Sequence, residues 1–220
     1  LMASIGSHAS IRFNISNKEN PFCSDPFKYI KKQNITDNNE LNDDLISSIL
    51  EFHKSGESDP KSQPLLSNGK QSSGNIFLNQ RDDIQLLKKI LENKVKNYLK
   101  EFITSNEGFI INWPKNFKIY GWLVSISSGG KLSAHIHKEG WLSGSLYFKM
   151  PSKKTKNEGN IVFSLDGANY PTDGKKFDKK SVAVNKGDLV LFPSSLFHHT
   201  IPFKSNEERV TFAFDIIPQN

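Results

Sequence analysis

The sequence predicts a mainly β domain, a sandwich or jelly roll, with helices packed on one of its sheets. Three observations carry this expectation. From Phe117 onward the chain falls into short β-rich runs separated by Gly, Pro and Asn, the spacing of sandwiches and barrels. Before that point, two segments carry apolar residues at helical spacing, and each leaves an apolar face that needs a sheet to lie on. The length, 220 residues, suits one domain with an N-terminal extension.

Composition narrows the choice further. Hydrophobic residues make up 36% of the chain, so the core has to concentrate, and apolar residues crowd into 109–126, 141–150 and 188–217. A single cysteine, Cys23, excludes an internal disulfide and fits a reducing compartment, so a cytoplasmic location is expected. No apolar run approaches 18 residues, and the N-terminus lacks the basic start and apolar core of a signal peptide. The formal net charge is +6. Most of it lies between Lys149 and Lys186, where nine lysines face four carboxylates. That segment reads as a solvated, lysine-rich insertion; steering of an acidic partner is the alternative. Neither arginines nor interleaved aromatics support nucleic acid as a partner.

Residues 1–40 are rich in Asn, Ser and Lys and read as a loosely structured extension, with 1–10 irregular. A single domain then occupies 41–220. Asn42-Asp43-Asp44 supplies an N-cap, and Leu41, Leu45, Ile49 and Phe52 mark the first helix. His53, at its end, is expected on the surface, where a cation suits the dipole. Residues 55–75 read as a long loop and a candidate lid. Asp82-Asp83 opens a second helix, with Ile84, Leu87, Leu91, Tyr98 and Phe102 on its apolar face, running to about Ile103. Helices thus fill 41–104, and the β core fills 109–220. Strands are expected near 117–126, 131–137, 142–150, 160–165, 181–184, 188–192, 197–201 and 208–217.

Four of the six histidines fall in two short stretches, Ser133–His137 and Phe197–Thr200. On a strand, His135 and His137 point to one face and can converge on one ion. His198, from a later strand, can complete the site, and alternation turns His199 away. Arg209 and Thr211 share a face, with Val210, Phe212 and Phe214 on the other as core. An inward arginine must find an anion, because an unpaired buried charge is very costly. That anion is either a structural carboxylate or the carboxylate of a ligand.

The run Gly121-Trp122, Ser128-Gly129-Gly130, His135-Ile136-His137, Gly140 to Gly144 and Gly187 to His198 resembles the iron(II)/2-oxoglutarate dioxygenases. Within them it is similar to the bacterial and phage group with a His-x-His first motif. The resemblance covers about 121–218 and implies a double-stranded β-helix (jelly roll) with the N-terminal helices on its major sheet. It implies Fe(II), 2-oxoglutarate and O2 as cofactors and co-substrates, with His135 and His198 as metal ligands. The family pattern is His-x-Asp/Glu followed by a distal His; here His137 stands where the carboxylate is usual, and Glu139 offers a second register. The resemblance further implies that Arg209 and Thr211 hold the distal carboxylate of 2-oxoglutarate, with Ser143 nearby. Ser143, Ser145 and Tyr147 share a face expected to line the same cavity. Trp122 is expected in the core and Trp141 at the substrate opening. The implied reaction is hydroxylation of a protein side chain, peptide or small metabolite. Two alternatives remain at this point: a cupin-type metalloenzyme independent of 2-oxoglutarate, and a non-enzymatic β-sandwich binding module.

Overall fold

The computed structural model describes residues 1–16, 20–37 and 40–219. Among these described residues, nine strands form two antiparallel sheets. The major sheet has the order β1-β7-β4-β9-β3-β2, and the minor sheet has the order β6-β5-β8. Their ranges are β1 Lys31–Asn34, β2 Leu66–Gln71, β3 Phe117–Leu132, β4 Leu142–Lys149, β5 Ile161–Ser164, β6 Lys179–Val182, β7 Asp188–Pro193, β8 Phe197–Thr200 and β9 Arg209–Pro218. Four α-helices accompany them among the described residues: α1 Met2–Arg12, α2 Asp43–Lys54, α3 Asp82–Glu101 and the single turn α4 Gly108–Ile111.

The two helices predicted from periodicity form as expected. Asn42 Oδ1 accepts the Leu45 amide at 2.8 Å and caps α2. Along α3, Ile84, Leu87, Leu91, Val95 and Tyr98 are buried. They pack with Val210, Phe212, Phe214 and Ile216 of β9 in the main core. A fully buried leucine such as Leu91 contributes roughly 1.5–3 kcal/mol, so this seam anchors the helices to the sheet. β9 lies between β3 and β4, in register with β3 from Phe117↔Pro218 to Ile126↔Arg209. Its alternation sends the apolar residues to the helices and leaves Arg209, Thr211, Ala213 and Asp215 on the opposite face.

Several expectations need correction. Residues 2–12 are helical, and His8 is buried, its ring nitrogens 3.1 Å from the carbonyl oxygens of Leu165 and Pro171. Residues 31–34 form an edge strand of the major sheet on β7. The extension is therefore built into the fold; positions 17–19 and 38–39 lie outside the described residues. The expected loop at 55–75 contributes β2, which pairs with β3. His53 is buried, with Nδ1 2.6 Å from Ser58 Oγ, because the following turn folds back over the helix end. The lysine-rich segment carries β5 and β6 and so makes two of the minor sheet's three strands. No strand separate from β3 forms at 131–137: β3 runs unbroken to Leu132, and beyond it only His135 makes a bridge.

Candidate metal centre and anion pocket

The open mouth between the two sheets brings His135, His137 and His198 together. His135 and His198 form an isolated antiparallel bridge. The His135 amide donates to the His198 carbonyl at 3.2 Å, and the His198 amide returns the bond at 3.0 Å. This reciprocal pair joins the end of β3 to the minor sheet. The His137 amide donates to the Ser194 carbonyl at 3.2 Å, so the third ring is tied to the turn before β8.

The three rings face one point. His135 Nε2 and His137 Nε2 are 3.1 Å apart. Two nitrogens bound at right angles, each about 2.1 Å from one ion, would be separated by about 3.0 Å. One ligand atom from each of the three residues lies within 4.8 Å of the others. The tautomers also suit a metal. Nδ1 of His135 lies 2.8 Å from the Ser133 carbonyl, and Nδ1 of His198 lies 3.1 Å from that of Leu196. Nδ1 of His137 lies 2.7 Å from Asp215 Oδ1. Each Nδ1–H is thereby committed, which leaves each Nε2 lone pair for an ion. Burial, with the neighbouring His137 second, pulls His135 down to about 4, and burial first among several causes holds His198 well below its ordinary value. Neutral imidazoles are the form that binds metal.

The rings open into a cavity of about 250 Å³ whose lining includes Trp122, Ser145, Thr200, Arg209 and Thr211. Arg209 and Thr211 are both 4% exposed, and Arg209 Nε and Thr211 Oγ1 find no hydrogen-bond partner among the described residues. Among the described residues no carboxylate pairs with the guanidinium, whose centre lies 4.9 Å from the Tyr147 ring centroid. The Tyr147 hydroxyl makes no well-formed hydrogen bond either, although it feels the arginine's charge. Desolvation pulls the guanidinium below its ordinary value.

Other expected positions resolve differently. Ser143 does not line the cavity. It is fully buried behind His137, donating to Asp215 Oδ1 at 2.7 Å and lying 2.8 Å from Ser194 Oγ. Ser145, two residues on, lines the cavity. Trp122, expected in the core, borders the site instead, its ring centroid 5.4 Å from that of His137. Trp141 packs on Phe109 and donates its indole N–H to the Phe109 carbonyl at 2.9 Å. It also borders a second, open groove of about 780 Å³ under α1. Glu139 is exposed in the turn after His137 and is not part of the three-residue cluster. His199 is turned away, at the register position opposite Val162. Asp215 escaped the sequence reading. Counting by twos from Arg209 through Thr211 and Ala213 reaches it, but it sits in an otherwise apolar run.

Residues 120–215 match the family described as "Putative 2OG-Fe(II) oxygenase". No curated protein sequence matches the chain. Among solved structures, a prolyl-4-hydroxylase from Pseudomonas putida is similar, at 12% identity over 87% of this chain and 93% of that one, with a TM-score of 0.57. The viral collagen prolyl hydroxylase of Paramecium Bursaria Chlorella virus-1, solved with 2-oxoglutarate, aligns at 13% identity over 87% and 97%, with a TM-score of 0.55. HygX from Streptomyces hygroscopicus, with nickel and 2-oxoglutarate bound, aligns at 11% identity over 86% and 83%, with a TM-score of 0.57. At these identities the likeness establishes the jelly-roll fold.

Proposed function

We propose, from the match of residues 120–215 to the 2OG-Fe(II) oxygenase family, that this chain uses iron(II), 2-oxoglutarate and O2, and that its residues divide the work as follows. His135, His137 and His198 hold the iron, and Arg209 with Thr211 holds the distal carboxylate of 2-oxoglutarate. The observation that carries this reading is the buried guanidinium without a counter-charge, in the same cavity as three converging imidazoles.

When bound, the iron supplies the redox chemistry that couples oxidative decarboxylation of 2-oxoglutarate to oxidation of a substrate C–H bond. The protein's share is position and polarity. The Arg209 fork accepts a carboxylate in two parallel charge-assisted bonds, and the Thr211 hydroxyl adds a third donor. The Tyr147 ring beneath the guanidinium keeps the fork from swinging. Val124, Leu132 and Ile161 line the rest of the cavity and exclude water from between the two polar ends. The cavity is smaller than the roughly 300–1,000 Å³ of ordinary small-molecule sites, so only the reacting end of a substrate enters beside the co-substrate. Trp122, with Gln63, Leu65 and Gln71 from β2 and the segment before it, supplies the surface that end meets. The substrate is a protein side chain, a peptide or a small molecule, and hydroxylation is the proposed outcome.

A cupin-type metalloenzyme or a binding module leaves Arg209 unexplained, since neither needs an uncompensated cation in its core. Anaerobic calorimetry decides the matter. Iron(II), or nickel(II) in its place, should bind at one site per chain, and 2-oxoglutarate should bind far more tightly once metal is present. Metal binding without any 2-oxoglutarate binding would return the cupin reading.

A further inference from the structure

The metal cluster lacks the carboxylate that completes the usual two-histidine, one-carboxylate facial triad. A carboxylate is nevertheless present one step behind it. Asp215 Oδ1 lies 2.7 Å from His137 Nδ1, and a carboxylate only accepts, so the ring proton lies on Nδ1 and points at Asp215. The same oxygen accepts the Ser143 hydroxyl at 2.7 Å. With that hydrogen spent, Ser194, 2.8 Å from Ser143 Oγ, donates to Ser143 in turn. Backbone space is shaped around the group as well. A Cβ at Gly140 would come within 2.5 Å of Ser194 Oγ and 3.2 Å of Asp215 Cγ. Asp215 is 7% exposed, so little water screens it.

We propose that Asp215 is a positioning residue that delivers its negative charge to the metal through the His137 ring, in place of a directly bound carboxylate. A hydrogen-bonded carboxylate makes the imidazole a more basic ligand and fixes its tautomer. Asp215 thus holds His137 in orientation and offsets the charge of an ion bound by three neutral rings. The inference rests on His137 being a metal ligand, as proposed above.

The test uses nickel(II) affinity, measured by chelator competition. Asp215→Asn keeps the shape of the side chain and removes its charge. In the wild-type background it should weaken nickel binding by about ten- to hundredfold. In a His137→Asp background, where the carboxylate is bound directly, the same change should alter affinity by less than about twofold. An unchanged affinity in the first background, or an equal loss in both, overturns the proposal. A second measurement needs no variant. In zinc-loaded wild-type protein, imidazole 15N NMR should show a His137 Nδ1 proton protected from exchange; free exchange overturns the proposal. Failure of the wild-type protein to bind nickel or zinc would instead overturn the metal site beneath it.

Discussion

At the histidine end of the cavity every Nδ1 already meets a carbonyl or carboxylate oxygen, whereas at the arginine end Arg209 Nε and Thr211 Oγ1 meet nothing among the described residues. His198, Arg209 and Thr211 are buried and His135 and His137 are half-buried, so exposure alone does not explain the contrast. The first end is saturated from behind, and that saturation aims the three Nε2 lone pairs forward. The second is unsaturated, and a buried, unpaired cation is strongly destabilising unless something supplies its counter-charge. The one end is completed by its own protein, and the other is the end to which we assign a ligand.

Removing a ring from the saturated end should do most. His198→Ala should lower nickel(II) affinity by more than the ten- to hundredfold typical of losing a supporting partner, as measured by chelator competition. Retained affinity would show that the three rings do not share an ion. Arg209→Met tests the other end. It removes charge-assisted bonds of about 1.5–3 kcal/mol each, so 2-oxoglutarate binding should fall by at least about a hundredfold while nickel affinity changes little. In the absence of ligand, the melting temperature should stay level or rise, because an unpaired buried charge has gone. A large fall would mean the arginine has a structural partner. Thr211→Val should cost about 0.5–1.5 kcal/mol, a two- to tenfold loss in 2-oxoglutarate affinity by calorimetry, with metal binding intact. The smallest effect lies outside the cavity. Burial holds His53 below its ordinary value, so the unfolded chain takes up its proton first as pH falls. Stability is full at neutral pH and erodes as pH drops through about 6.5. Urea titrations across that window should give a shallower loss for His53→Gln than for wild type.

Much of this contrast was legible in the sequence. Period-two reading of β9 separated Arg209 and Thr211 from the core residues Val210, Phe212 and Phe214, and the structure keeps that division. Helical spacing found α2 and α3 because each has a single apolar face. The edge strands β1 and β2 escaped. Lys31-Lys32-Gln33-Asn34 and Leu66–Gln71 are mostly polar, and an edge strand with one hydrogen-bonded neighbour needs no apolar alternation. α1 escaped for a related reason: the residues it buries are Ser4, Ser7 and His8, all polar, and the place of His8 depends on the carbonyls of a distant loop. Ser143 was assigned to the cavity by its face and by the family resemblance. Alternation gives the side of the sheet but not the depth, and here Ser143 lies behind His137 while Ser145 lies beside the opening.

The reciprocal backbone pair between His135 and His198 has a consequence for biosynthesis. It stitches residues from opposite ends of the β region, and His137 leans on Asp215, which is later still. A nascent polypeptide that has not yet reached His198 has no complete set of three rings to offer. On the proposed ligand set, metal loading waits for β8 to pair with the end of β3, and a copy made only as far as β7 cannot sequester the ion.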